Sequence, residues 1–447
     1  MKLQDGERRT ALRAVKTPSE ARWHYTDVRN QDWGYWVAVC GRLKWDEDGV
    51  LVAAEPLIKT DRVCKDCHAV KEVVMPHMRD YRKHDPTPVD PDPPPTPSTT
   101  VKAYQGARID GQAYVDWYGS NDASDGPWSI GIPLPNGSTA LYESHSGKGV
   151  CTIHWGGSSG AWPPKAFDTG AADKCHNHGA INYYSFGVPT AGITAIINKT
   201  STAAGYLDTL FTAIKNWGNP IIFRPVWEMN LPTRFDWGAS NITPSEYLQL
   251  YKNIWQAAAD VQDGNGTVWS NTGNNTGNMT FFWCSNVFTA GGSTPSPAAM
   301  WPSDGTNNTK YVDIAGWDGY VISGYTSPGG RYNLIHDTIL GLPGIGNKPL
   351  FIGEMGVDAA VTSPGKAAWI NDFLNNWMPA HPRVKGFSWF NEKGSSQQPH
   401  IELGDALGQK NGAALTAFKA GIASDYYGEL PVLSSSWPTS GKVPFPA

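Results

Sequence analysis

The sequence predicts an α/β protein, a (β/α)8 barrel preceded by a small metal-binding module and a proline-rich linker. Three observations carry that expectation. From about residue 101 onward, short apolar runs alternate with helical periodicity, the pattern of repeated β-α units. Two of those runs, Ile221-Ile222-Phe223-Arg224-Pro225-Val226-Trp227-Glu228 and Leu350-Phe351-Ile352-Gly353-Glu354, end in a glutamate. Between His84 and Ser98 the chain is dominated by proline, which is extended and semi-rigid and separates folded units.

The chain has 447 residues, enough for more than one domain and a sizeable core. Its formal net charge of −5 gives no basic footprint for nucleic acid or an anionic membrane. No apolar run is long enough to span a bilayer. The first 16 residues are charged and lack the apolar stretch of a secretory signal. Twenty Trp and 18 Tyr with only 17% charged residues suit a protein that stacks on sugar rings, or one with a large aromatic core.

Residues 1–84 form the first expected unit. His24, Cys40, Cys64 and Cys67 supply the four ligands of a tetrahedral structural zinc site, the last two in a C-x2-C knuckle. Short apolar pieces, Tyr35 to Val39 and Val50 to Val52, can build a small sheet around it. So small and polar a unit would draw much of its stability from the metal. The pattern resembles Cys3His zinc modules of actinobacterial and actinophage proteins. Residues 85–100 are the linker.

Residues 101–424 hold the expected barrel. Its strands are read at Val101–Ile109, Ser129–Ile132, Gly149–Trp155, the Ile221 run, Met279–Cys284, Tyr311–Tyr320, Lys348–Gly353 and Val384–Phe390. The second of these is the weakest. A long Gly- and Asn-rich loop follows the third. Ala203 to Trp217 and a stretch opening at Thr243-Pro244-Ser245-Glu246 read as helices, the latter with proline in its first turn. A helix from Leu415 to Ala423 closes the barrel, and 425–447 form an extended tail. Cys151 and Cys175 are either a loop-closing disulfide or buried thiols.

Two strand-end glutamates are what retaining glycoside hydrolysis requires: one donates a proton to the leaving oxygen while the other attacks the sugar. Glu228 and Glu354 are the catalytic candidates. Glu228, next to Trp227, would need a raised pKa to hold a proton near neutrality.

The run Phe223-Arg224-Pro225-Val226-Trp227-Glu228-Met229-Asn230 resembles the R-P-x-H-E-x-N signature of glycoside hydrolase family 26. Further matches follow in family order. Trp283-Cys284-Ser285-Asn286 resembles the fifth-strand motif, and Tyr311 through Tyr320 the sixth. Lys348 through Gly356 and Lys385 through Asn391 complete the series. The resemblance spans roughly 145–395 and implies a barrel hydrolysing β-linked polysaccharide such as mannan, without a catalytic cofactor. It implies Glu228 as acid/base, Glu354 as nucleophile, Tyr320 as a donor to the nucleophile and Trp389 as the floor beneath the sugar. It also implies that His154 contacts the same sugar. Arg224 would position the glutamates, and Asn230, Trp283 and Trp317 would line further subsites. The sequence departs from the family pattern at Trp227, where the family carries His. That places the sugar preference in question and leaves a non-catalytic glycan-binding or structural tail protein as the alternative. With the N-terminal pattern, the reading is of a protein acting outside the cell at a host surface, as a phage tail component partnered by other tail proteins.

Overall fold

The computed structural model describes the backbone of five strands between residues 13 and 54, residues 101–109, parts of 139–165, and 166–446 apart from 290, 323–326, 359–360, 362–364, 392–411 and 429–440. The chain divides into two units, Met1–Pro95 with Pro133–Pro135, and Thr96–Ile132 with Asn136–Ala447.

In the first unit, Arg13–Lys16, Trp23–Asn30, Tyr35–Ala38, Leu43–Asp46 and Leu51–Ala54 pair in sequence order as an antiparallel sheet. The backbone of His24 lies on the second strand, opposite Val15. The His24 side chain and Cys40, Cys64 and Cys67, the expected zinc ligands, lie outside the described residues.

The second unit is a closed barrel of eight parallel strands. They are β1 (Tyr104–Ile109), β2 (Thr152–Gly157), β3 (Ile181–Phe186), β4 (Ile221–Pro225), β5 (Met279–Asn286), β6 (Ile314–Val321), β7 (Leu350–Val357) and β8 (Val384–Asn391). Helices α1 (Thr169–Asn177), α2 (Thr190–Ile197), α3 (Ser201–Trp217), α4 (Pro244–Gln262), α5 (Pro328–Leu340), α6 (Lys366–Asp372) and α7 (Ala413–Ile422) belong to the same unit. Every residue of β6 and β7 is buried, because a parallel strand is covered on both faces.

The strand count follows a different path from the sequence expectation. Gly149–Trp155 contributes the second strand, not the third. The third, Ile-Asn-Tyr-Tyr-Ser-Phe at 181–186, comes from the stretch read as a long loop. The expected strand at Ser129–Ile132 lies outside the described residues, and the barrel closes without it. Flanking glycine and asparagine hid a run whose aromatic residues favour a strand.

Local chemistry sets the helix ends. Thr243 and Glu246 form a reciprocal capping box at the start of α4, with Pro244 in its first turn. α3 stops at Gly218, whose φ of 78° is the left-handed conformation glycine adopts at low cost. At the strands' N-terminal end, part of the tail seals the barrel. Val443 N–H donates to Thr280 at 2.8 Å, Lys442 pairs with Asp313, and Phe445 lies against Tyr104. Cys151, Cys175 and Cys284 are buried, and none is joined in a disulfide.

Six of the twenty tryptophans, Trp237, Trp255, Trp283, Trp317, Trp369 and Trp389, rank among the largest fully buried side chains. Much of the aromatic richness is therefore core. No described helix is long and apolar enough to cross a membrane.

Candidate active site

Within the barrel, Tyr183, Phe282 and Phe351 meet as an aromatic layer, with ring centroids 5.8–6.0 Å apart. Toward the strands' C-terminal ends this gives way to polar groups, the end at which β/α barrels place their chemistry.

Arg224, at the end of β4, is the hub. Its side chain is fully buried. Nε donates to Ser185 Oγ at 2.8 Å, and Nη1 donates to Asp318 Oδ2 at 2.6 Å. Nη2 donates to Glu354 Oε1 and lies 3.1 Å from His154 Nε2. The guanidinium also stacks 5.1 Å from the Tyr183 ring centre and 4.9 Å from Trp227. Burial works against its charge, but Asp318, Tyr183 and Glu354 outweigh that and hold it protonated. Because arginine has no acceptor, His154 Nε2 must accept, which puts the imidazole proton on Nδ1. That nitrogen lies 3.9 Å from Glu354 Oε1. Burial pushes the Asp318 carboxyl up, and Arg224 pulls it the other way.

Glu354 reaches this network through an irregularity in β7. Trp317 pairs with Ile352, but the next residue of β6, Asp318, pairs with Glu354, so Gly353 is the extra residue of a bulge. Side chains alternate along a strand. Without the bulge, Phe351 and Glu354 could not both face the barrel interior. A Cβ at Gly353 would sit 2.5 Å from Asp318 Oδ1 and 2.8 Å from both Cys284 Sγ and Tyr183 Oη. The bulge needs glycine. The second oxygen of Glu354 accepts from Tyr320 Oη at 2.5 Å. Burial and then the Glu354 charge push the Tyr320 hydroxyl well up, so it remains a donor.

Glu228 lies just beyond β4 on a tightly pinned turn. Val226 and Glu228 have φ of 42° and 52°, conformations rarely held by residues with a Cβ and a form of local strain. Four bonds hold the turn. Val226 N–H donates to Phe186 O at 3.0 Å, and Glu228 N–H donates to Cys284 O at 2.8 Å. Tyr247 Oη donates to Val226 O at 3.3 Å, and Trp237 Nε1 donates to Trp227 O at 2.6 Å. The Glu228 side chain accepts from Asn286 Nδ2. Burial, then the nearby Glu354 charge, raises its pKa to about 7, against the opposing influence of Asn286, Arg224 and Arg234.

Arg224, Glu354, Tyr320, His154 and Glu228 thus form one cluster, and Trp227 packs beside it. The other expected subsite residues do not. Trp283 donates to Met300 O at 3.1 Å and meets Trp301 edge-on, on the outer side of β5. Trp317 packs on Tyr332 and His336 of α5. Asn230 is buried, donating to Asn286 O at 2.9 Å and accepting from Asn286 N at 2.7 Å. It fixes the Asn286 backbone and is not open to a subsite.

Trp389, expected beneath the sugar, is 0% exposed and packs on Phe418 of α7 at 5.3 Å. The next residue, Phe390, is half-buried and stands edge-on to Tyr320 at 5.7 Å, so the aromatic at the mouth is Phe390. Asn286 and Asp318 are site residues that the sequence reading passed over, although both lie within the strand motifs it recognised.

Comparison with known proteins agrees with this geometry. Residues 188–383 match the profile of Glycosyl hydrolase family 26. A mannan endo-1,4-beta-mannosidase of Bacillus subtilis is 25% identical over 269 residues, which cover 52% of this chain and 62% of that protein. The chain therefore spans less than two thirds of that relative's length. A modular endo-beta-1,4-mannanase of Cellulomonas fimi shares the fold with a TM-score of 0.50 and 17% identity, over 74% of this chain and 73% of that one. The profile match identifies a glycosyl hydrolase family 26 domain over residues 188–383 of this chain, carried on a barrel of the shared fold.

Proposed function

We propose that the barrel is a retaining endo-glycosidase that cleaves a β-linked polysaccharide, a β-1,4-mannan-type chain or a related surface glycan. One observation carries the reading: Glu354 is held at both oxygens by Arg224 and Tyr320, while Glu228, with a pKa raised to about 7, holds a proton near neutrality.

In the first step a Glu354 oxygen attacks the anomeric carbon as the bond to the leaving oxygen breaks, and Glu228 gives its proton to that oxygen. In the second, Glu228 takes a proton from water, the water oxygen displaces Glu354 from the anomeric carbon, and the carboxylate is regenerated. Arg224 fixes the attacking carboxylate, and Phe390 offers an apolar edge to the sugar ring.

Reducing-end release from β-1,4-mannan and a panel of β-glycans tests the reading. Wild type should cleave at least one, and Glu228→Gln and Glu354→Gln should lose at least about 1,000-fold in kcat. Binding without turnover by wild type would favour a glycan-holding scaffold.

For the N-terminal unit we propose a structural zinc held by His24, Cys40, Cys64 and Cys67, supported by ligand type and spacing. Metal analysis of the full chain should find one zinc per chain, lost in Cys64→Ser. The module's resemblance to actinophage proteins supports a place outside the cell, in a virion tail with other tail proteins. Absence from purified virions would remove that placement.

A further inference from the structure

The loop after β4 presents a second feature at the mouth. It is folded tightly on itself: Ala239 N–H donates to Leu231 O at 3.2 Å, Ser240 N–H to Pro232 O at 2.9 Å, and Asn241 Nδ2 to Phe235 O at 2.8 Å. Asp236 anchors it to the start of α2, accepting from the Thr190 backbone at 2.7 Å and the Thr190 hydroxyl at 2.9 Å. The rings of Phe235 and Trp237 are parallel within 2° and 4.8 Å apart, and Trp227 leans on both at 5.1 Å.

On this stack lies Arg234, its guanidinium 5.9 Å from the Phe235 ring centre. It is exposed, and among the described residues it has no hydrogen-bond or ion-pair partner. Asp236, the nearest acid in sequence, is already engaged by Thr190 and does not neutralise it. The Arg234 charge also reaches Glu228, opposing the effect of burial on that carboxyl, so the guanidinium lies within electrostatic range of the reacting position. The self-bonded loop therefore holds, on a ring stack that includes the neighbour of Glu228, a cation with no acidic partner among the described residues, in a chain whose overall charge is −5.

Neutral sugars are held by ring faces and by hydroxyl-bonding groups. A guanidinium fork instead matches a carboxylate with two parallel hydrogen bonds. We infer that Arg234 reads a carboxylate on a sugar unit next to the scissile bond, so that the glycan this barrel prefers is an acidic, uronate-bearing β-linked chain. The inference rests on the hydrolase reading above and narrows its substrate class.

The probes are two oligosaccharides with the same backbone, β-1,4-linked mannose and β-1,4-linked mannuronate, which differ only in the carboxylate at C6. In full-length protein carrying Glu354→Gln to block turnover, calorimetry should show the mannuronate oligomer binding at least about tenfold more tightly. Added salt should weaken that preference. Arg234→Ala should abolish it, and Arg234→Lys should restore part of it. Equal affinity for the two oligomers, no binding of either, or an equal loss on both in Arg234→Ala would overturn the inference. Cleavage of neutral mannan by wild type with no carboxylate preference would remove the role of Arg234 and leave the hydrolase standing. A carboxylate preference without cleavage of any glycan would do the reverse.

Discussion

Arg224 bonds Asp318 at 2.6 Å through one terminal nitrogen and Glu354 through the other, so a single buried guanidinium fixes two carboxyls from adjacent strands. Lysine keeps the charge but loses the fork. Arg224→Lys should lower kcat by about 100-fold or more, with a smaller change in KM, because Glu354, the proposed nucleophile, loses its orientation. It should also lower the melting temperature, since it leaves a buried acid with incomplete hydrogen bonding. Steady-state kinetics with calorimetric melting checks both.

In the proposed mechanism Glu228 governs the pH dependence. Its pKa is raised from 4.5 to about 7, and the acid form is the one that would donate to the leaving group. Activity should therefore fall as pH rises through about 7, the upper limb of the profile being Glu228. Asn286→Ala removes a hydrogen bond that favours the ionised form and should move that limb to higher pH.

The same shift links to stability. The folded state holds this proton more tightly than the unfolded chain, so the contribution is fully present below about 4.5 and is lost as pH rises toward and through 7. Glu228→Gln has no such loss. Relative to wild type it should be more stable at pH 8 by about 1–3 kcal/mol, an advantage that vanishes near pH 4. Denaturant melts at the two pH values measure it.

Gly353→Ala probes the bulge. The added methyl meets Asp318, Cys284 and Tyr183 at 2.5–2.8 Å, all in a packed interior. Overpacking of this kind costs about 1–3 kcal/mol. Because Glu354 follows directly, the variant should also lose kcat by more than tenfold at temperatures where it stays folded. An unchanged melting point would show that β7 can run without the bulge.

Phe390 and Trp389 make a paired test of strand direction. Phe390→Ala should raise KM several-fold with little loss of stability, because Phe390 stands half-buried against Tyr320. Trp389→Ala should instead cost about 3–5 kcal/mol, as expected for a fully buried indole packed on Phe418. Tyr320→Phe sits between them: it should lower kcat by about tenfold while leaving the melting point within a degree or two, since only the donor to Glu354 is lost.

The sequence alone determined the barrel class and both glutamates, because an apolar strand running into a charged residue is a local pattern. It likewise placed Arg224, His154 and Tyr320 in the motifs that the structure brings into one cluster. Tertiary structure decided the facing of every side chain beyond a register shift. The family resemblance carries Trp389 to the mouth, whereas the fold turns it to α7 and leaves Phe390 against Tyr320. A one-residue bulge at Gly353 turns Glu354 inward, yet it leaves no mark in the sequence beyond a glycine. Asn286 and Asp318 matter through partners 58 and 94 positions away, Glu228 and Arg224, and only closure of the barrel brings those pairs within hydrogen-bonding distance.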